Sequence, residues 1–349
     1  HNRKQEIMLN RLKHIVEELR GLIDVSRSAP SVISSERGES RTLFLLAVSG
    51  GVDSMCLADM WLRCFGAESC AIAHCNFNLR GEDSDGDEAL VAGWAQEHGV
   101  RLHKVSFDTL QYASENGISI EMAARELRYG WFGQLCTEFG YDVVAVAHNA
   151  NDNAETLMLN LLRGTGLNGL HGMAEMTILS SNVLIFRPLL EVTRKQIEGY
   201  VLAHKVPYRH DSSNFESEYK RNRIRNEVFP IFEKINPSFV RSLNREIGYF
   251  SEAGDIVEEW CRAQLPEIVE VTGRTGKDVP RLSEPLGCHS ERSEESLRIS
   301  LPALMARRHW RYLLYYILEP YGFNSQILSS LESLLQSDRT VSGKRFDSP

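Results

Sequence analysis

The sequence predicts an α/β protein with a doubly wound parallel sheet, followed by a smaller helical domain. Between residues 43 and 190, short β-rich segments alternate with longer helical patterns. After Pro188 the pattern becomes mostly helical. The chain has 349 residues, of which 42% are hydrophobic and 25% charged, a balance typical of globular proteins. At about 150 residues per domain, this length fits two domains.

The predicted sheet contains four buried strands and a fifth, weaker one around Val183–Phe186. The four are Leu43–Val48, Cys70–His74, Leu102–Phe107 and Asp142–Ala147. Helices are predicted after them at about residues 54–65, 85–98, 119–139 and 152–163. In this architecture ligands bind beyond the carboxyl ends of the strands, so we expect the loops that begin at Ser49, His74 and His148 to converge.

We expect five parts along the chain. They are an N-terminal amphipathic helix with a Ser-rich insertion (1–42), the α/β domain (43–212), a basic connector (213–245), a helical domain (246–340) and the start of a further domain (341–349). Two segments rich in serine and charge, 28–40 and 287–296, lack apolar periodicity. We interpret both as exposed insertions.

Composition excludes several classes of protein. No apolar run approaches the ~18 to 20 residues of a membrane-spanning helix, and the amphipathic N-terminus does not resemble a secretory signal. The seven cysteines are an odd number without any CxxC spacing, which favours a reducing, cytoplasmic location. The oligomeric state stays open, with a homodimer among the alternatives.

The net charge of −8 argues against a protein that coats nucleic acid by bulk electrostatics. Local basic patches remain compatible with nucleic-acid binding, and a solvated helix face is the alternative interpretation. The patches contain Lys220, Arg221, Arg223 and Arg225, and then Arg307, Arg308 and Arg311.

The sharpest local signal is LFLLAVSGGVDS at residues 43–54, a strand that leads through two glycines into a helix. Gly50 and Gly51 permit a tight turn that brings backbone N–H groups close to an anion. Ser49 and Ser54 add hydroxyl donors. Without the lysine of the Walker motif, the segment predicts a different phosphate-binding loop, and an ordinary βα turn is the alternative.

An acidic pair, Asp152 and Glu155, lies three residues apart at the start of the helix after the fourth strand. Both carboxylates should project from one face near the helix N-terminus. N-capping is one interpretation. Beside a phosphate site, two carboxylates would otherwise repel a nucleotide, so the second interpretation is that they bind Mg²⁺ or an ammonium-bearing substrate.

A second glycine-rich segment, residues 164–169, fits the dinucleotide pattern GxGxxG. It follows a helical pattern rather than a strand, so the context that the dinucleotide motif requires is absent. We predict that these glycines form a helix C-terminus and a sharp loop.

SGGVDS resembles the motif of the PP-loop ATP pyrophosphatases, which cleave ATP between the α- and β-phosphates. Further segments resemble the tRNA(Ile)-lysidine synthetase family. They are 71–91, 119–132, 147–170, 187–201, 210–230 and 236–237. The resemblance extends in order from about Leu43 to Pro237. It implies a PP-loop fold of the adenine nucleotide α-hydrolase type.

The family ligates free L-lysine to carbon 2 of the wobble cytidine of tRNA(Ile) with a CAU anticodon. The resemblance implies ATP and Mg²⁺ as cofactors and an adenylylated cytidine as intermediate. The poor leaving group of the pyrimidine carbonyl is activated first, and AMP departs when the amine attacks. Because the side-chain amine of free lysine has a pKa of about 10.4, a carboxylate must accept its proton.

The resemblance also implies roles for individual residues. The ATP motif consists of Ser49, Gly50, Gly51, Val52, Asp53 and Ser54, with His74 helping to close the site and Asp53 as the candidate Mg²⁺ ligand. Asp152 and Glu155 match the acidic pair associated with lysine. Arg128 matches a catalytic basic residue near ATP and the target base, with Arg125 as the alternative. The expected tRNA contacts are Lys220, Arg221, Arg223, Arg225, Arg307 and Arg308, and the region from Arg221 to Arg225 is also expected to contact the active site.

The sequence departs from the family pattern in three places. Phe77 stands where a second histidine is common, and Asn78 where a small residue is usual. Residues 341–349 resemble the start of the family's final small domain, which we expect to be truncated here.

Two other functions are compatible with parts of the sequence. One is a PP-loop enzyme that thiolates tRNA, a reaction that typically needs paired cysteines. The other is a nucleotide-binding or RNA-binding module without catalysis, which would have no need for the acidic pair.

Overall fold

A computed structural model describes residues 2–28, 42–179, 183–209, 216–272, 296–323 and 325–336. Apart from Ser28 and Ser296, the two predicted insertions lie outside the described residues, and so does the segment 341–349. The chain divides into two compact units, residues 1–251 and 252–349.

The first unit contains a six-stranded sheet that is parallel except at one edge. Its strands are β1 (Phe44–Ala47), β2 (Cys70–Asn76), β3 (Arg101–Ser106), β4 (Val143–Ala145), β5 (Met176–Ile178) and β6 (Leu184–Phe186). The strand order is β3-β2-β1-β4-β6-β5, and β5 pairs antiparallel with β6. The five predicted strands are present. The antiparallel edge strand β5 was not predicted.

Nine helices of the first unit are described. They are α1 (Asn2–Ser28), α2 (Val52–Phe65), α3 (Glu82–Glu97), α4 (Thr109–Asn116), α5 (Ile120–Phe139), α6 (Ala150–Arg163), α7 (Arg194–His204), α8 (Glu216–Arg223) and α9 (Phe229–Ile235). A π-helical turn, Ile224–Val228, joins α8 to α9. The prediction missed α4 and placed the start of α3 three residues late.

Local sequence explains where the helices of the site begin and end. Asn149 caps α6 and forms a capping box with Asp152, because each side chain accepts a hydrogen bond from the other residue's backbone N–H. Gly164 ends α6 in the left-handed conformation, with φ of 74°. The GxGxxG glycines therefore begin at a helix C-terminus, as predicted.

The N-terminal helix α1 belongs to the core of the sheet domain. Met8, Leu12 and Leu19 are buried in the same apolar cluster as Phe44 of β1 and Trp61 of α2. Burial of several large side chains fixes α1 against the sheet domain, since each contributes roughly 1.5 to 3 kcal/mol.

The second unit begins within α10 (Phe239–Ile268). It contains the antiparallel pair β7 (Val269–Thr272) and β8 (Ser296–Ile299), and the helices α11 (Leu301–Met305), α12 (Trp310–Leu318) and α13 (Ser325–Leu335). Its core includes Cys261, Leu304 and Leu313. Among the described residues of the whole chain, none of the helices is long and apolar enough to cross a membrane.

Candidate active site

The topology brings polar loops together at one edge of the sheet. Strand β1 lies between β2 and β4, and all three strands are parallel. The strand order reverses between β1 and β4, because β2 and β3 extend on one side of β1 and β4 lies on the other. A cavity of about 500 Å³ opens at their carboxyl ends, and an adjoining cavity of about 250 Å³ shares part of its wall. Ser49, His74 and His148 all line the smaller cavity, so the three predicted loops do converge.

The loop after β1 packs tightly against helix α3. Gly50 has φ of 94°, a conformation that L side chains rarely adopt. A Cβ atom at Gly50 would lie 3.3 Å from the Cβ atom of Asp87. Hydroxyl groups stabilise the turn, because Ser54 Oγ donates to the Gly51 carbonyl at 3.0 Å and accepts from the Ser49 N–H at 3.1 Å.

Helix α2 presents free backbone donors to the larger cavity. Its N-cap, Gly51, has no side chain to cap the helix, and the first helical bond runs from the Met55 N–H to the Gly51 carbonyl at 3.0 Å. The preceding N–H groups, of Val52, Asp53 and Ser54, therefore have no acceptor within the helix. A helix terminus of this kind binds anions such as phosphate.

Asp53 lies in the first turn of α2 and faces the same cavity. Its Oδ2 accepts a hydrogen bond from Arg194 Nη1 at 2.6 Å, whereas its buried Oδ1 has no hydrogen-bond partner within the described part of the chain. Burial raises the pKa of Asp53 to about 6, although Arg194 opposes this shift. An ionised carboxylate with one free oxygen fits a Mg²⁺ ion that takes most of its other ligands from phosphate and water.

The acidic pair lies on α6 and lines the same cavity. Asp152 is the third residue of the capping box, so the N-capping interpretation is correct for one of its oxygens, Oδ2. The side chain of Glu155 is only 1% exposed. Burial raises the pKa of Glu155, against the opposing effect of Arg225.

Arg225 neutralises part of this acidic pair. Its Nε and Nη2 donate to the two carboxylate oxygens of Glu155 at 2.8 and 3.0 Å, and Nη2 also reaches Asp152 Oδ1 at 3.4 Å. The region of Arg225 was predicted to make tRNA and active-site contacts. The structure places Arg225 in the cavity wall, together with Arg221 and Asn222, and its contact with tRNA stays a prediction.

Two histidines of the site are neutral. His74 is buried, its Nδ1 lies 2.8 Å from the Val48 carbonyl, and desolvation lowers its pKa. His148, which follows β4, has its pKa lowered to about 4 by desolvation, against the effect of Asp152. Neither imidazole adds a positive charge at neutral pH.

The remaining predicted tRNA contacts are exposed or ion-paired, and the two in the first unit, Lys220 and Arg223, line neither cavity. Lys220 and Arg308 are exposed, whereas Arg223 pairs with Glu227 and Arg307 with Glu267. Arg128 does line both cavities, and its guanidinium lies over the ring of Phe77.

The sequence analysis missed two arginines of the site. Arg194 pairs with Asp53 from the start of α7. Arg209 donates its backbone N–H to the Gly50 carbonyl at 3.0 Å, and its guanidinium pairs with Asp87 and Asp83. Both fall in or near segments that carry the family resemblance, and this was the signal that could have identified them.

Comparison with known proteins assigns the fold. The family model described as the PP-loop domain matches residues 23–232, which is more than half of the chain. The chain belongs to the PP-loop family. A second model, described as the TilS substrate binding domain, matches residues 292–349 of this PP-loop protein.

The two curated relatives described next have the same name. A tRNA(Ile)-lysidine synthase from Porphyromonas gingivalis is 41% identical over 84% of this chain and 59% of its own length. Another from Bacteroides thetaiotaomicron is 37% identical over 86% of this chain and 63% of its own length. The chain thus spans about three fifths of the length of these relatives.

Among solved structures, a U34-tRNA thiolase from Methanococcus maripaludis, with its [4Fe-4S] cluster, is similar in fold. The TM-score is 0.54 at 17% identity, over 71% of this chain and 80% of that chain. At this identity the similarity concerns the PP-loop fold alone.

Proposed function

We propose that this PP-loop protein ligates free L-lysine to carbon 2 of the wobble cytidine in tRNA(Ile) with a CAU anticodon. The reaction consumes ATP, releases AMP and pyrophosphate, and proceeds through an adenylylated cytidine. One observation carries the proposal. The uncapped N-terminus of α2 and the charged cluster of Asp152, Glu155 and Arg225 line the same cavity. The names of the curated relatives support the same reaction.

The loop at residues 49–54 suits the first step, in which the cytidine oxygen attacks the α-phosphate of ATP. The free N–H groups at the start of α2 would bind the pyrophosphate as it departs. Asp53 would hold Mg²⁺ through its unpartnered Oδ1. The ion supplies positive charge against the phosphate oxygens.

The cluster around Glu155 suits free lysine as the second substrate. Free lysine carries two ammonium groups and one carboxylate, and the cluster carries two carboxylates and one guanidinium. Arg225 would bind the carboxylate of lysine as a bidentate partner. Asp152 and Glu155 would bind the side-chain ammonium group.

The amine must lose a proton before it attacks carbon 2. Burial raises the pKa of Glu155 above that of an ordinary glutamate. The carboxylate is therefore a better proton acceptor than an exposed one. We propose Glu155 as the group that takes the proton, with Asp152 orienting the ammonium group.

We propose that the tRNA contacts α8 in the first unit and basic residues of the second unit. Lys220 and Arg308 are exposed basic residues suited to phosphate contacts. A tRNA substrate, ATP and free lysine are all available in the cytoplasm, where we propose that the reaction takes place.

Thiolation of tRNA is less well supported. Cys75 is the one cysteine among the residues that line the two cavities. Burial raises the pKa of its thiol to about 12, so the sulfur stays protonated and weakly nucleophilic. A binding module without catalysis would leave the acidic pair, with its buried Glu155, without a purpose.

Incorporation of radiolabelled lysine into tRNA(Ile) tests the proposal. With ATP and Mg²⁺, we expect label to enter the tRNA with a CAU anticodon, in step with pyrophosphate release. The matched control is the same tRNA with G in place of the wobble C, which should take no label. Pyrophosphate release without lysine transfer, or incorporation of sulfur in its place, would contradict the proposal.

A further inference from the structure

Phe77 and Arg128 form a stacked pair at the wall that the two cavities share. The Cζ atom of Arg128 lies 5.1 Å from the centroid of the Phe77 ring. This distance is within the range of an attractive cation–π contact. Phe77 also stacks on Phe107 at the end of β3, with the centroids 5.7 Å apart and the planes 27° apart.

The backbone around Phe77 is held at several points. The Phe77 carbonyl accepts a hydrogen bond from Thr109 Oγ1 at 2.9 Å. Asn78, next in the chain, has φ of 53°, and its side chain donates to Ser106 Oγ and to the Phe107 carbonyl at 2.9 and 3.0 Å. Asparagine tolerates this left-handed conformation better than most residues. The ring of Phe77 is therefore a fixed surface.

Arg128 is available for a ligand. Within the described residues, it forms no ion pair with a carboxylate, unlike Arg194, Arg209 and Arg225 of the same cavity. A guanidinium group that lies flat on a ring keeps its N–H edges free for an anion. Arg128 thus presents an unneutralised positive charge to the cavity that contains the phosphate loop.

We propose that Phe77 is a positioning residue that fixes the guanidinium of Arg128 for contact with the α-phosphate during adenylylation. This inference rests on the proposed function. The phenylalanine supplies an aromatic face without charge. A protonated histidine at this position, by contrast, would repel Arg128.

Variants of Phe77 test the inference through the rate of the reaction. F77L keeps apolar volume and removes the ring, and we expect kcat for lysine incorporation to fall by about tenfold with little change in KM for ATP. F77Y and F77W keep the ring and should stay within about threefold of the wild type. In an R128A background, F77L should cause no further loss, because the residue it positions is gone.

The pH profile of F77H separates positioning from core packing. Neutral imidazole at pH 8 should support activity close to that of F77Y. Protonation near pH 6 should lower kcat by a further factor of about five relative to the wild type at the same pH. The wild type serves as the reference for the other charged groups of the smaller cavity, Arg80, Asp87, Glu121, Arg125 and Arg221, and for its two histidines, His74 and His148.

F139L is the matched control. Phe139 also lies under an arginine, with Arg101 Cζ 5.4 Å from its centroid, but it lines neither cavity. Equal losses for F77L and F139L, or equal losses for F77L with and without Arg128, would overturn the inference. If the wild type releases pyrophosphate but transfers no lysine, the proposed function fails. The same variants, followed by pyrophosphate release, would then still decide the role of Phe77.

Discussion

Arg225 donates two hydrogen bonds to Glu155, 70 positions earlier in the sequence, at 2.8 and 3.0 Å. Glu155 is almost completely buried, whereas nearly half of the Arg225 side chain is exposed. A buried carboxylate without a partner costs several kcal/mol, so the pair holds an anionic site ready inside the cavity. With Asp152 included, the cluster carries a net charge of −1, which suits a substrate of opposite charge.

Removing charge from the acidic pair should affect lysine and leave ATP unaffected. We expect D152N and E155Q to raise KM for lysine or lower kcat for its transfer by at least about tenfold, through loss of a charged hydrogen bond. Equilibrium binding of ATP should stay within about twofold of the wild type. Equal loss of ATP binding in D152N would assign Asp152 to the metal site instead.

Removal of the Asp53 carboxylate should stop adenylylation. In D53A, the oxygen available to Mg²⁺ and the partner of Arg194 are both lost. We expect ATP-dependent pyrophosphate release to fall by at least about a hundredfold, the usual scale for loss of a charge-stabilising group. Normal pyrophosphate release by D53A would show that adenylylation does not need Asp53.

Asp53 should also make stability depend on pH in the absence of ATP and Mg²⁺. Its pKa rises from 3.8 to about 6 on burial, so the folded state favours the protonated form. The stabilising effect is complete below pH 4 and is lost as the pH rises through 6. As the pH rises from 4 to 7, the unfolding free energy of D53N should therefore increase relative to that of the wild type by up to about 3 kcal/mol.

Urea unfolding of both proteins at pH 4 and pH 7.5 measures this gain. Substitution also removes the pair with Arg194, but that pair forms only with the ionised carboxylate, so its effect is already included in the pKa of about 6. An unchanged difference between the two proteins at the two pH values would show that Asp53 titrates as an ordinary carboxylate.

The two glycines of the phosphate loop should respond differently to alanine. G50A introduces a Cβ at φ of 94° and 3.3 Å from Asp87 Cβ, and we expect a loss of about 1 to 3 kcal/mol in unfolding free energy. G51A has φ of −75° and meets only Ser49 Oγ at 3.5 Å. The free energy of unfolding of G51A, measured by thermal denaturation, should change by no more than about 0.5 kcal/mol. Similar losses in both would mean that the loop adopts another conformation.

The N-terminal helix should contribute to the stability of the sheet domain. Leu12 is 1% exposed in the core that contains Trp61, so L12A should cost about 2 to 5 kcal/mol. Leu22 lies on the same helix but is 61% exposed, and L22A is the matched control with an expected change within about 0.5 kcal/mol. Chemical denaturation followed by fluorescence measures both. If L12A changed the unfolding free energy as little as L22A, the account of α1 as part of the core would be wrong.

Much of the fold could be predicted because its elements carry local signals. The apolar run at 43–48 and the glycines after it specify β1 and the turn into α2, and Gly164 ends α6 as its sequence suggests. The antiparallel strand Met176–Ile178 has only three residues and is mostly exposed, so it lacks a buried pattern. Its existence depends on pairing with β6, which periodicity does not reveal.

The composition of the site was predictable only in part, for a related reason. Asp53, Asp152 and Glu155 stand in motifs that are contiguous in sequence. Their arginine partners are 70 to 141 positions away, and local spacing says nothing about such contacts. Arg225 was predicted to belong to a basic region that contacts tRNA and the active site, but its partner was not, because only the packing of α8 and the following turn against α6 brings it to Glu155.

A crystal structure of the protein with a non-hydrolysable ATP analogue, Mg²⁺ and lysine tests the central claim most directly. The account predicts that the β- and γ-phosphates contact the N–H groups of the loop at residues 49–54. It also predicts the side-chain nitrogen of lysine within about 3.5 Å of Asp152 or Glu155. Phosphates bound away from this loop, or lysine bound outside the cavity, would contradict it.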